Sequence, residues 1–236
     1  MSTTKATTLI YQAHTLNNMI IDVKYLRENV VITLNQETMA LASTVDGGLR
    51  NGIKYVIHHQ VPKDFNNDPI REVMRTHRKL TINSNEAITF LTATEIPRNH
   101  VINEEIINGV ETEVSITMGL TNPYRINKGG IETRGFGEST INMAIIIDRP
   151  LTIQAMIDVT MLAAQIKALT LAELTGNRMH GTTSDAIAIL TPINGNREPY
   201  AGPATAIGRA VVYAIRGTLI KAYEIYRASP EPSGDP

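Results

Sequence analysis

The sequence contains no cysteine and no tryptophan, and only 5% of its 236 residues are aromatic. The absence of cysteine excludes disulfides, a thiolate nucleophile and thiolate metal ligands. It suits a reducing compartment, and we expect a cytoplasmic protein. Neither sign of charge dominates, because 22 Lys and Arg residues oppose 23 Asp and Glu residues for a net charge of -1. Nucleic acid is therefore not an expected partner.

Long apolar runs are also lacking. The first residues do not have the basic start, apolar stretch and cleavage site of a secretory signal. Uninterrupted apolar runs such as 143–147 fall far short of the ~20 residues needed to cross a bilayer, so no membrane partner is expected. The proline-rich segment 229–236 is predicted to be a disordered tail, and residues 1–228 to form one domain.

The residues that are present are sufficient for a core, since 42% are hydrophobic. Runs rich in β-branched residues, separated by polar breaks, predict short strands and two hairpins in the first third of the chain. The predicted strands are 8–14, 19–23, 30–34, 39–44, 53–61, 87–94, 113–118, 142–147 and 187–190.

Three helices are predicted. The first opens at Pro69 and runs to about residue 79, the second covers 152–174 between Pro150 and Gly176, and the third covers 205–227. Strands occur in consecutive groups instead of alternating with helices. This order predicts an α+β protein, in which a mixed or largely antiparallel sheet is packed by two long helices in a single compact layered domain.

Lys167 is the least expected residue of the second helix. At about 100° per residue it falls among Ile153, Met156 and Leu171 on the apolar face, opposite Asp158. Its stem can follow the edge of the core while the ammonium reaches water. Alternatively, the lysine lies at the floor of a cleft, where it stabilises an oxyanion or a carboxylate or acts as a base.

The segment 180–186 (HGTTSDA) joins this helix to the next strand, and in it three hydroxyl side chains precede one acid. Such residues form ordinary turns and caps. They also offer chemistry: Thr183 or Ser184 as nucleophile or water-positioning donor, Asp185 as base or orienting carboxylate, and Gly181 for close approach of the backbone to a ligand.

A glycine-rich turn, Asp46-Gly47-Gly48, follows Ser43 at the end of another strand. Turns of this kind expose backbone N–H groups that suit an oxyanion or a phosphate. The spacing does not match a phosphate-binding loop, and no dinucleotide-binding glycine pattern or serine-hydrolase nucleophile elbow occurs.

The histidines do not suggest a metal site. There is no H-E-x-x-H motif, and His58 and His59 would point to opposite faces of one strand. The other histidines stand singly. We therefore predict no protein-bound metal.

Several of these motifs, taken in order, resemble those of the adenosylcobinamide amidohydrolases over most of the chain. Each motif is short, and their shared order carries the resemblance. They are Ser43 with Asp46, Gly47 and Gly48; Thr92-Ala93; residues 119–123 with Asn122; Thr140-Ile141-Asn142; Lys167; residues 181–186; and Tyr200-Ala201-Gly202.

The resemblance implies hydrolysis of adenosylcobinamide to adenosylcobyric acid and aminopropanol, in corrinoid salvage for cobalamin (vitamin B12) biosynthesis. Cobalt would enter only within the corrinoid substrate, and no cofactor is expected. We predict that the 181–186 loop, the Asp46-Gly47-Gly48 turn, Asn122, Asn142 and Lys167 converge on one cleft at the rim of the sheet. The expected catalytic residues are Lys167, Asp185, Thr183 and Ser184. The expected substrate-binding residues are Ser43, Asp46, Gly47, Gly48, Asn122, Asn142, Gly181, Thr182, Tyr200 and Gly202.

Some positions depart from the family pattern. Asp46 stands in place of Asn, Thr121 and Pro123 in place of Ser and Ala, and Ser184 in place of Thr. These departures keep open an amidase that acts on an unrelated amide. A corrinoid-binding or carrier protein without catalysis is the alternative from another class, and the hydroxyl-rich loop with Lys167 favours the enzyme. A homo-oligomer is compatible with the sequence.

Overall fold

The computed structural model describes residues 19–134 and 139–228. The predicted strand at 8–14 and the predicted tail at 229–236 lie outside the described residues. Helices and strands follow one another as β1 (Ile20–Tyr25), β2 (Asn29–Ala42), β3 (Gly48–Gln60), α1 (Pro69–Leu80), β4 (Ala87–Thr92), β5 (His100–Ile107), β6 (Val110–Met118), β7 (Pro123–Asn127), β8 (Gly130–Thr133), β9 (Ile141–Ile147), α2 (Ile153–Leu174), β10 (Gly181–Thr182), β11 (Ala186–Pro192) and α3 (Ala206–Ala228).

Eight strands form one mixed sheet in the order β4-β3-β2-β11-β9-β6-β5, with β1 paired to β2. The pairs β3–β4 and β9–β11 are parallel, and the other neighbours are antiparallel. A small second sheet has the order β10-β7-β8. The predicted α+β class, with a largely antiparallel sheet in a compact single domain, is confirmed.

The main sheet is curved so that its concave face packs on itself. His58 of β3 lies 2.9 Å from Ser115 Oγ of β6, although three strands separate β3 from β6 in the sheet. Ser115 also bonds His100 of β5 at 2.8 Å. Burial lowers the pKa of His100 to about 3 and holds the pKa of His58 well below its usual value, so both rings are neutral. Apolar side chains of β1, β2, β3, β4, β9 and β11 pack around these residues in the concavity.

Helices α2 and α3 cover the convex face of β5, β6 and β9, and α1 covers β3 and β4. Helix α2 begins after the N-cap Thr152, whose side chain accepts a hydrogen bond from the Ala155 amide. Among the described helices, α2 alone is long and apolar enough to cross a membrane by length and composition. Half of that stretch (50%) is buried inside the molecule, and core helices of soluble proteins meet the same criterion.

Two strand predictions were wrong. The predicted strands 30–34 and 39–44 are one strand, β2, which stays paired with β3 on both sides of a register shift between Thr33 and Thr38. The polar residues between them bulge without ending the strand. Strand β5 was not predicted, because Asn103, Glu104 and Glu105 interrupt its apolar pattern.

Glu113 gives the fold a pH dependence. Burial, reinforced by repulsion from Glu111 and Glu104, raises the pKa of Glu113 from its usual 4.5 to about 8. Between these values the unfolded chain has released a proton that the folded protein keeps, so stability falls as pH rises from about 4.5 to about 8. We predict that Glu113→Gln flattens this slope in urea unfolding at pH 5, 6.5 and 8 with EDTA present. Glu105→Gln, on the other face of β5, is the control, and equal slopes in both variants would contradict the prediction.

Candidate functional site

A cavity of about 400 Å³ opens at one end of the curved sheet. It lies at the N-terminal ends of the parallel strands β9 and β11, and strand β4 forms the opposite wall. Its size is that of a small-ligand pocket. The described lining residues are Ser43, Thr44, Val45, Val61, Phe65, Thr89, Phe90, Leu91, Thr92, Ala93, Asn122, Thr140, Asn142, Thr183, Ser184, Asp185 and Ala186.

Asp185 is the one ionisable residue among the described residues that line the cavity. Its carboxylate forms a buried ion pair with Lys167 and accepts the Thr182 hydroxyl. It also accepts the backbone N–H groups of Thr182 at 3.1 Å and Ile141 at 3.0 Å. Because both oxygens already accept hydrogen bonds, this geometry favours the orienting role of Asp185 over the general-base role.

Lys167 lies behind Asp185 and does not line the cavity. Its side chain is 7% exposed, so the ammonium does not extend to water as a snorkelling lysine would. The arrangement gives Lys167 no direct contact with a ligand in the cavity. Its ammonium instead holds the Asp185 carboxylate in place, and that carboxylate in turn fixes the backbone at Thr182 and Ile141.

Thr183 and Ser184 lie at the mouth of the cavity, where both are exposed. Thr183 Oγ1 accepts a hydrogen bond from Asn122 Nδ2 at 2.9 Å, and the Thr183 amide donates to Asn122 O at 3.3 Å. Within the described residues, the Ser184 hydroxyl has a single long contact, 3.5 Å to Ser139 O. Thr183 is therefore the better oriented of the two hydroxyls.

Asn122 carries an unsatisfied acceptor. Its Oδ1 atom is buried and has no hydrogen-bond partner within the part of the chain that the structure describes. A buried polar atom left unpaired costs about 1–3 kcal/mol. A ligand that brings an N–H or O–H donor to this point would remove that penalty.

Asn142 and Thr140 join the cavity walls to each other. Asn142 Nδ2 donates to Leu91 O of β4 at 2.8 Å, and Thr140 Oγ1 donates to Ser184 O at 2.9 Å. These bonds hold strand β4 and the 183–185 loop in place around the cavity. The Asn142 donor is thus used within the protein.

The glycine-rich turn lies next to the cavity, but its Asp-Gly-Gly residues do not line it. Ser43 lines the cavity, whereas Asp46, Gly47 and Gly48 do not. The Gly47 amide donates to Thr44 O at 3.0 Å, so it does not serve as the exposed oxyanion donor expected of this turn. The Asp46 carboxylate accepts the Thr44 hydroxyl at 2.9 Å and the Thr89 amide at 3.1 Å.

Tyr200 and Gly202 are not brought to the cavity. They follow the C-terminal end of β11, whereas the cavity lies at its N-terminal end, about 20 Å away along a seven-residue strand. Their segment packs at the start of α2, where the Ala201 amide donates to Asp158 at 3.1 Å. Tyr200 is 70% exposed. These two residues therefore lie apart from the cavity, and their contact with substrate stays a prediction.

The sequence profile of the adenosylcobinamide amidohydrolases matches residues 14–230, which include every residue of the site. The chain belongs to this family. It is 32% identical over 108 residues to the adenosylcobinamide amidohydrolase of Halobacterium salinarum, an alignment that spans 44% of this chain and 46% of that relative, less than half of either. A crystal structure of a Pyrococcus horikoshii OT3 protein is 12% identical, with 92% of this chain and 82% of that chain covered and a TM-score of 0.46.

The motifs of the amidohydrolase family did not point to the apolar wall of the cavity. Phe65 and Phe90 line it, and Phe90 stacks on His58 with ring centroids 4.9 Å apart. The chain has only three phenylalanines, and two of them are in this wall. Because phenylalanine is so scarce in this chain, the positions of Phe65 and Phe90 were the sequence signal that could have indicated this wall.

The ion pair between Lys167 and Asp185 leaves no room for a side chain at position 181, so this residue must be glycine. A Cβ atom there would lie 2.5 Å from Asp185 Oδ2, 2.7 Å from Tyr124 Cε1 and 3.1 Å from Lys167 Nζ. We predict that Gly181→Ala displaces the pair, lowers the free energy of unfolding by about 1–3 kcal/mol and reduces turnover. Gly202→Ala is the matched control, because nothing lies within 4 Å of its Cβ position. Urea unfolding and turnover should separate the variants; equal behaviour would contradict the crowding at Gly181.

Proposed function

We propose that this protein hydrolyses the aminopropanol amide of adenosylcobinamide, giving adenosylcobyric acid and aminopropanol in corrinoid salvage. Membership of the family supports the substrate class. The observation that carries the proposal is the unpaired Asn122 Oδ1 beside the Thr183 hydroxyl. An amide substrate has an N–H donor for the first group and a carbonyl carbon that the second, or a water it holds, can attack.

The size of the cavity supports entry of a side chain only. About 400 Å³ accommodates an amide-bearing arm, whereas a corrinoid macrocycle is too large. In our proposal the macrocycle stays at the mouth, next to Val45, which is 44% exposed. Cobalt then takes no part in the reaction, and the protein needs no cofactor of its own.

The proposed reaction is addition of a hydroxyl or water to the amide carbonyl, followed by loss of the amine. The attacking oxygen loses a proton, the carbon–nitrogen bond breaks, and the leaving nitrogen gains a proton, so that water and amide become acid and amine. Asp185 holds the 182–184 loop for the attack, and its negative charge stabilises the ammonium that forms on the leaving group. Lys167 holds that carboxylate in position through the buried ion pair.

The proposal is tested by incubating the purified protein with adenosylcobinamide and analysing the products by mass spectrometry. We expect adenosylcobyric acid and aminopropanol in equal amounts. Retention of unchanged corrinoid on the protein would instead indicate a carrier. If the corrinoid is neither retained nor cleaved, the result would indicate an amidase for an unrelated substrate.

Treatment with a chelator tests whether turnover in the cavity depends on a metal ion. None of the described residues lining the cavity is a histidine, and Asp185 is its sole carboxylate. We therefore predict that turnover is unchanged by EDTA, measured at a temperature where the protein stays folded by circular dichroism. Loss of turnover with EDTA and its recovery with a divalent ion, without a change in folding, would contradict this.

A further inference from the structure

Three carboxylates meet on the concave face of strands β5 and β6, far from the cavity. Glu104 stands directly opposite Glu113, and Glu111 lies two residues along β6 on the same face. One oxygen from each of the three lies within 4.8 Å of those of the other two. Like charges directly opposite each other in neighbouring strands destabilise a sheet. We call these residues the Glu triad.

Each of the two inner members of the Glu triad has one buried oxygen without a hydrogen-bond partner among the described residues, although the backbone of Ile20 donates to Glu113. Glu111 is 4% exposed and Glu113 is 5% exposed. Across the two described stretches of chain, Glu111 Oε1 and Glu113 Oε2 have no hydrogen-bond partner. The charge of Arg149 acts on Glu111, but its guanidinium bonds Asp148 at 2.8 Å and the Gly109 carbonyl. Buried carboxyl oxygens that converge with unused acceptor capacity are what a cation site offers before it is filled.

We propose that the Glu triad binds a hard divalent cation of the Ca²⁺, Mg²⁺ or Mn²⁺ class. All three ligands are carboxylates, which these ions prefer, whereas zinc and copper favour nitrogen and sulfur ligands. Glu104 is partly exposed, so ions and the waters that complete the coordination can enter from its side. This proposal departs from the sequence-based expectation of no protein-bound metal. No local pattern indicated the site, because it forms only when β5 pairs with β6.

The proposed cation is structural. On β6, Glu113 is four residues from Thr117, which pairs with Asn142 at the cavity. Four residues of a strand span about 13 Å, so a cation at the Glu triad does not touch the cavity. It would link strand β5 to strand β6 through the carboxylates and remove the repulsion between Glu104 and Glu113. Binding should therefore raise thermal stability and leave turnover unchanged.

The experiment uses the full chain, treated with EDTA, dialysed and held at pH 8.5 so that protons compete little with the cation. Ca²⁺, Mg²⁺ and Mn²⁺ are titrated separately by calorimetry, and the midpoint of thermal unfolding is followed in parallel. We expect saturable binding of at least one ion at one per chain, with a rise in the midpoint. Glu104→Gln and Glu113→Gln should weaken binding by about tenfold or more.

Glu105→Gln is the matched control, because Glu105 neighbours Glu104 on β5 but points to the opposite face. It should bind the cation like the wild type. Absence of saturable binding for all three ions in the wild-type chain would overturn the proposal. Binding that both Glu104→Gln and Glu105→Gln leave unchanged would also overturn it, and the partly exposed Glu104 keeps this test available if Glu113→Gln does not fold.

Discussion

Asp185→Asn is expected to lower turnover by about 10²-fold or more and to reduce the free energy of unfolding by about 3–5 kcal/mol. The loss of turnover follows because the substitution removes the one charged group among the described residues that line the cavity, and because it loosens the 182–184 loop. The loss of stability follows because Lys167, which is 7% exposed, would keep a buried charge without a counterion. Turnover and urea unfolding measure the two effects.

A double variant separates these effects. Lys167→Met combined with Asp185→Asn removes both buried charges and keeps the apolar stem, so most of the stability should return. Turnover should remain about 10²-fold or more below that of the wild type, as in Lys167→Met alone. Activity that returns together with stability would show that the ion pair only supports the fold. Near-normal turnover in both folded single variants would remove the proposed mechanism while leaving the family assignment intact.

Thr183→Val is the second substitution for which we expect a large effect, a loss of turnover of about 10²-fold or more. Valine keeps the shape and removes the hydroxyl that Asn122 orients at 2.9 Å. Thr183→Ser should retain most activity. Ser184→Ala is the matched control, because the Ser184 hydroxyl makes only a 3.5 Å contact with the described residues. An inactive Ser184→Ala beside an active Thr183→Val would reverse the assignment.

A further measurement distinguishes the two roles proposed for Thr183. If its hydroxyl attacks the amide, rapid acid quenching during turnover should trap an acyl group on Thr183, visible as a mass increase of the peptide that contains it. If the hydroxyl only positions a water, no such adduct forms. The same quench applied to Thr183→Val is the control for non-specific labelling.

The long helices could be predicted from sequence almost to the residue. Predicted at 152–174 and 205–227, they occupy Ile153–Leu174 and Ala206–Ala228, because cap residues and apolar spacing act locally. Strand β5 could not be recognised from its apolar pattern, since three polar residues occupy its centre. Its turn was the better signal: Asn108 and Gly109 both have positive φ (53° and 74°), as the hairpin between β5 and β6 requires.

The sequence indicated which residues belong to the candidate site better than it indicated how they are arranged. Short motifs indicated that Asn122, Thr183 and Asp185 would lie together, and these residues do line one cavity. The position of Lys167 behind Asp185 depends on how α2 docks against the 181–185 loop, which no local pattern encodes. The position of Tyr200 depends on packing in the same way, because the path of the chain after β11 is set by packing on α2.

Hydrolysis in ¹⁸O-labelled water tests the central claim most directly. If the protein cleaves the amide of adenosylcobinamide by addition of water, mass spectrometry should show one ¹⁸O atom in the carboxylate of adenosylcobyric acid and unlabelled aminopropanol. Both an attack by water and an acyl intermediate on Thr183 lead to this labelling, because water completes either route. Recovery of the corrinoid with its amide intact, after binding to a folded and homogeneous protein, would contradict the account.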